Sequence, residues 1–134
     1  MGLTHLLDTN ICVAVIRMRS PRALARLQTM TPGSVGISII TVSELQFGAA
    51  KSQNPQRNRQ ALEQFLLPLE ILDYDSTAAA HYGDVRAVLE KAGTPIGPLD
   101  TLIAAHARSL NVTVVTNNLS EFRRVRGLKV EDWT

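Results

Sequence analysis

Two stretches decide the architecture: Leu3-Thr4-His5-Leu6-Leu7-Asp8 near the start, and Val112-Thr113-Val114-Val115-Thr116 near the end. Both are short, mostly apolar, and stop at a polar residue. A strand with one wet face alternates apolar and polar residues, whereas a strand covered on both faces reads as an apolar run. Working outward, Val35 to Ile39, Leu69 to Leu72 and Leu128 to Val130 have the same character. Between them lie helical signals. Ile11 to Met18 reads as a helix. Ser20-Pro21 supplies an N-cap and a first-turn proline for a helix to about Met30. Thr41 to Glu44 opens a helix to about Lys51, and Asn54-Pro55 opens one that Pro68 ends. Asp75 or Ser76 caps a long helix closed by Gly93. Gly97-Pro98 starts another, and Glu121 to Arg124 forms a single turn. Strands alternating with helices predict a short, mainly parallel sheet with helices on both faces, a three-layer α/β/α fold.

The chain has 134 residues, so one domain spanning 1–134 is expected. Its 45% apolar content suffices for one core, and its 4% aromatic content argues against a base-stacking platform. The single cysteine, Cys12, excludes an internal disulfide and any multi-cysteine zinc site. No apolar run is long enough to span a bilayer. Nothing near Met1 to Thr9 resembles a secretion signal, so a cytoplasmic location is expected. The net charge of +2 says little, but its distribution says more. Arg17, Arg19, Arg22 and Arg26 form one cluster, Lys51, Arg57 and Arg59 a second, and Arg123, Arg124, Arg126 and Lys129 a third. Three such clusters in a short chain favour a phosphate-bearing partner.

In open parallel sheets ligands bind beyond the carboxyl ends of the strands. Acids recur there. Asp8 follows the first strand, Glu44 lies in the helix after the second, Asp100 near the start of the helix before the fourth, and Glu121 after the fourth, beyond Asn117 and Asn118. Packed carboxylates repel one another, and a divalent cation removes that penalty. Carboxylates without His or Cys suit Mg²⁺ or Mn²⁺ rather than zinc. Each acid also has a purely structural explanation. Asp8 fits an N-cap, Thr41 to Glu44 a capping box, and Asp100 a first helical turn favoured by the dipole. Three independent caps at one rim of a sheet is the less economical account. His106 falls on the apolar side of its helix, away from Asp100, and reads as a satisfied, semi-buried histidine. Ser43 has no accompanying triad pattern.

Four motifs in order resemble one family. They are Leu6-Leu7-Asp8-Thr9-Asn10-Ile11, Ser43-Glu44-Leu45-Gln46-Phe47-Gly48-Ala49, Gly97-Pro98-Leu99-Asp100-Thr101-Leu102-Ile103-Ala104 and Thr116-Asn117-Asn118-Leu119-Ser120-Glu121-Phe122-Arg123-Arg124-Val125. Together they resemble the PIN-domain ribonucleases, and more closely the VapC-type toxins of toxin–antitoxin pairs. That resemblance implies a Mg²⁺- or Mn²⁺-dependent endoribonuclease with Asp8, Glu44, Asp100 and Glu121 as its catalytic acids. Asp8 and Asp100 are the metal ligands it implies. Many members carry Asp where Asn117 stands, so Glu121 is the expected substitute and Asn117 a neutral contact. Thr9, Thr116 and Asn117 are expected to orient ligands or water. The family reading also implies a VapB-like antitoxin, a homodimer, and an RNA substrate, with a tRNA anticodon loop the first choice. Arg17, Arg19, Lys51, Arg123 and Arg124 are the expected RNA grips.

Other classes fit less well. A haloacid-dehalogenase-type phosphatase wants Asp where Asn10 stands, a receiver domain wants paired acids after the first strand, and a nucleotide switch wants a glycine-rich loop. A non-catalytic RNA- or protein-binding module is the remaining alternative. It predicts that neutralising the acids changes no activity.

Overall fold

The computed structural model describes residues 2–134. Strand β1 is His5–Leu7, followed by helices α1 (Thr9–Ile16) and α2 (Pro21–Thr29). Strand β2 (Val35–Ser38) leads directly into α3 (Ile39–Ala50), then α4 (Pro55–Leu66). Strand β3 is Glu70–Leu72, α5 is Ser76–Lys91 and α6 is Pro98–Leu110. The chain closes with β4 (Thr113–Val115), the short α7 (Leu119–Phe122) and β5 (Lys129–Glu131). All neighbouring strands pair in parallel, in the order β3-β2-β1-β4-β5.

That order places β1 at the centre and makes it the switch point. The chain builds outward from β1 to β3, then crosses back to β4 on the other side. Loops leaving β1 and β4 therefore diverge and open a crevice beyond their carboxyl ends. Asp8 and Thr116 are the first residues after those two strands.

Alternation along each central strand feeds two cores. Leu6 and Val114 pack with Val85, Leu89, Ile103 and Phe122 under α5, α6 and α7. Leu7 and Val115 face the other way, among Ile11, Val15, Ile37, Leu45 and Leu62 from α1, β2, α3 and α4. The apolar character of the strands thus has its cause in double coverage. Gly36 in β2 is needed for close approach, because an added Cβ would lie 2.6 Å from Leu72 Cδ2 and 2.8 Å from the Glu70 carbonyl.

Two local expectations are corrected. Helix α3 begins at Ile39, capped by Ser38 Oγ, which accepts from the Ile40 N–H at 3.1 Å. The Thr41–Glu44 capping box therefore does not form; Thr41 is a buried residue inside the helix. A serine one turn earlier offered the same cap chemistry, and the strand ran straight into it. Helix α1 also stops sooner than Met18. It closes at Arg17 with a left-handed Met18 at φ 55. Among the described residues no helix is long and apolar enough to cross a membrane.

Candidate active site

Asp8 is both a cap and a buried acid. Its Oδ1 accepts from the Ile11 N–H at 2.9 Å, and it is only 1% exposed. Burial pushes its carboxyl up to about 6. Hydrogen bonds from the Thr116 side chain and the Ile11 N–H oppose that rise, while the charges of Asp100 and Glu44 add to it. Asp100 sits in the first turn of α6. Burial raises its carboxyl too, and the Glu121 and Glu44 charges raise it further, against a hydrogen bond with Asn118. Four acids from four separate elements thus act on one another across the end of the sheet.

The two glutamates are held by named partners. Thr9 Oγ1 donates to Glu44 Oε1 at 2.7 Å, with the buried Thr41 Oγ1 3.4 Å away. Glu121 Oε1 accepts from the Gly97 N–H at 3.2 Å, which ties α7 to the cap of α6 just before Asp100. Its other oxygen accepts from Asn118 Nδ2. Thr116 is fully buried, bonds Asp8, and accepts from the Asn118 N–H at 2.9 Å. The inner amide is therefore Asn118, which touches both Glu121 and Asp100. Asn117, the expected inner contact, is exposed and faces an outer cleft beside Asn10. The chain bends at Asn117, where the Asn118 N–H turns back to the Thr116 hydroxyl, and that bend decides which of the two amides enters the site.

Among the described residues, none of the four acids forms an ion pair with Lys or Arg. No three carboxylate, imidazole or thiol groups converge tightly enough to hold a metal as they stand, again among the described residues. The acids ring the crevice, each held by at least one hydrogen bond. The donor set is nonetheless entirely hard oxygen, uncompensated and partly desolvated, which is the chemistry of a Mg²⁺ or Mn²⁺ site.

The basic residues separate. Arg17 lines a groove with Thr9 and Glu44, whereas Arg19 lines the outer cleft with Asn10 and Asn117. Lys51 sits at the far end of α3, 4.9 Å from the Phe47 ring centre. Arg123 is exposed. Arg124 donates to the Pro95 carbonyl at 2.9 Å, so it serves as a strut to the loop before α6 rather than a free grip. His106 is buried at 1% exposure, 2.8 Å from Ser38 Oγ, and takes no part in the acidic ring.

A PIN-domain family model matches residues 5–128. The chain belongs to the PIN-domain family. Within it the relatives are VapC proteins. This PIN domain is 46% identical to the tRNA(fMet)-specific endonuclease VapC of Shigella flexneri, over 98% of this chain and 99% of that protein. It is 47% identical to ribonuclease VapC2 of Haemophilus influenzae, with 98% of each covered. The DNA-bound VapBC crystal structure from Salmonella typhimurium superposes with a TM-score of 0.94 at 45% identity, covering 98% and 99% of the two chains. VapBC2 from Rickettsia felis, bound to a promoter DNA fragment, gives 0.93 at 38% identity, covering 98% of this PIN domain and 100% of that chain. The three-layer fold and the VapC kinship agree with the motif reading.

Proposed function

We propose that this chain is a toxin endoribonuclease that depends on Mg²⁺ or Mn²⁺ and is neutralised by a VapB-like antitoxin. The observation that carries the reading is the ring of Asp8, Glu44, Asp100 and Glu121 at the switch point of the sheet, with no cation paired to any of them among the described residues. Asp8 and Asp100 would hold the ion, and Glu44 and Glu121 would complete its oxygen shell. Such an ion, when bound, acidifies a water and neutralises charge on the scissile phosphate. The chain's own work is positioning. Thr9 fixes Glu44, while Thr116 and Asn118 hold Asp8, Asp100 and Glu121.

The substrate reading follows the relatives. The Shigella and Salmonella proteins are named for tRNA(fMet), and we take a tRNA as the first candidate here. For the antitoxin, the groove beside Glu44 has a volume of ≈ 370 Å³ and an apolar floor of Val13, Ile16, Leu45 and Leu62, with Arg17 and Arg57 at its sides. A peptide that fills it reaches Glu44 directly. A homodimer belongs to the same reading, and the exposed Phe47 and Leu67 are side chains that such a contact would cover.

The test is a panel of individual purified tRNAs incubated with the antitoxin-free chain, beside Asp8→Asn. Cleavage of one tRNA at a single position, absent in the variant, is the expected result. Equal cleavage by both proteins removes Asp8 from the chemistry. No cleavage of any RNA by either favours the binding-module alternative.

A further inference from the structure

Helix α1 is a ridge between two clefts. One is the apolar groove beside Glu44. The other has a volume of ≈ 560 Å³ and is walled by Asn10, Arg19, Arg22 and Asn117, with Ser20 and Thr134 at its margin. Val13 forms part of both walls, and the adjacent Thr9 and Asn10 at the head of α1 line one cleft each. Thr9 and Asn10, which head the two clefts, follow Asp8 directly in the chain, and Asn117 in the second cleft follows Thr116, the hydrogen-bond partner of Asp8.

The closing turn of α1 divides the arginines between them. Met18 takes a left-handed φ of 55, with its N–H bonded to the Val15 carbonyl and that of Arg19 to the Ala14 carbonyl. Arg17 then falls in the apolar groove and Arg19 in the second cleft. The second cleft has two guanidinium groups, two carboxamides and no acidic side chain in its lining, with Val13, Ala14 and Pro21 as its apolar part. Neither Arg19 nor Arg22 is engaged in an ion pair among the described residues.

The groove also holds two guanidinium groups, Arg17 and Arg57, and two carboxamides, Asn54 and Asn58, but it carries the Glu44 carboxylate, which repels phosphate, and the bulky apolar Leu45 and Leu62. A guanidinium fork matches phosphate oxygens, and a carboxamide presents a donor and an acceptor in one plane to a base edge. Leu45 and Leu62 beside an acid suit a peptide; two amides and two cations around the small apolar Val13, Ala14 and Pro21, with no acidic side chain, suit an unstacked nucleotide. We propose that the cleft walled by Asn10, Asn117, Arg19 and Arg22 is a nucleotide subsite that takes the RNA strand on one side of the scissile phosphate. This rests on the ribonuclease reading of the acidic ring. Arg19 and Arg22 hold the backbone, and Asn10 and Asn117 contact the base of the nucleotide next to the cut.

The test measures binding rather than turnover. Asp100→Asn is the parent, so that RNA stays intact, and a fluorescein-labelled tRNA mixture is titrated by anisotropy over a range of salt. Arg19→Ala/Arg22→Ala is expected to raise Kd at least about tenfold and to reduce the salt slope by about 1.4, the share of two phosphate contacts on a single strand. Arg19→Lys/Arg22→Lys keeps the slope while weakening binding. Asn10→Ala and Asn117→Ala weaken binding several-fold with the slope unchanged. Lys91→Ala, at the end of α5, controls for net charge and changes neither. Unchanged affinity and slope in the double Ala variant, with its melting temperature intact, overturns the subsite alone. A parent that binds no RNA overturns the ribonuclease reading and the subsite with it.

Discussion

Asp8 and Glu131 end strands at the same rim of the sheet, two strands apart, and the fold treats them in opposite ways. Glu131 is supplied with partners. Trp133 Nε1 donates to its Oε1 at 3.0 Å, His5 Nε2 lies 3.3 Å away without an aligned hydrogen bond, and the Arg26 guanidinium is at 3.8 Å. The Trp133 hydrogen bond is the main reason its carboxyl stays below the usual range, with His5 and Arg26 assisting. Arg26 also lies 5.3 Å above the Trp133 ring. Asp8 is more deeply buried, has acids for neighbours, and is pushed the other way. An acid whose partners lower its pKa strengthens the fold; an acid left charged in a dry, acidic setting weakens it. The first arrangement ties down an edge strand. The second leaves Asp8 hydrogen-bonded but, among the described residues, without a cation.

The largest expected effect is on catalysis. Asp100→Asn should reduce RNA cleavage by at least about 10³-fold, some 4 kcal/mol of transition-state stabilisation, with the melting temperature preserved. Next is Trp133→Ala. It removes a buried indole from the core of Leu7 and Ile11 and leaves Glu131 without its main donor. Chemical denaturation should show a loss of about 3–5 kcal/mol.

The acidic end should respond with the opposite sign. Asp8→Asn keeps an oxygen for the Ile11 N–H and discards the buried charge. In metal-free buffer near neutral pH it should gain about 2 kcal/mol while losing activity. The pH dependence follows from the same shift. The folded chain holds the Asp8 proton up to about 6, whereas the unfolded carboxyl releases it near 3.8. Ionised Asp8 therefore costs stability that builds as pH rises from about 3.8 to about 6 and is fully present above it, so the melting temperature should rise as pH falls from about 7 to about 4. Glu131, with its carboxyl lowered, contributes stability above the unfolded value and loses it only under stronger acid. The rise between neutral and mildly acidic pH should shrink in Asp8→Asn, leaving the part that the raised Asp100 carboxyl contributes, and persist in full in Glu131→Gln. The smallest effect is Met18→Gly. It relieves a left-handed residue that is 78% exposed, and should gain about 1 kcal/mol by thermal melting.

Much of this was legible from residue order. Apolar runs ending at Asp8 and Thr116 announced a doubly covered parallel sheet, and the acids stood where such a sheet binds ligands. What could not be read depended on register or on distance along the chain. Thr41 and Ser38 offer the same cap chemistry, and only the end of β2 chooses Ser38. Asn117 and Asn118 are identical residues side by side, and the backbone turns only Asn118 inward. Arg17 and Arg19 looked like one cluster until the left-handed Met18 sent them into different clefts. His5, Arg26, Glu131 and Trp133 come from opposite ends of the chain, and no local pattern links them. His106 was expected to be semi-buried and proved buried, sealed against Ser38 and the edge of Tyr74.

The most direct test of the acidic ring is cleavage of purified tRNA by the antitoxin-free chain, with metal removed by chelation and then restored as Mg²⁺ or Mn²⁺. No cleavage is expected after chelation, with full recovery on adding either ion and no recovery in Asp8→Asn. Undiminished cleavage in the chelated protein would contradict that expectation.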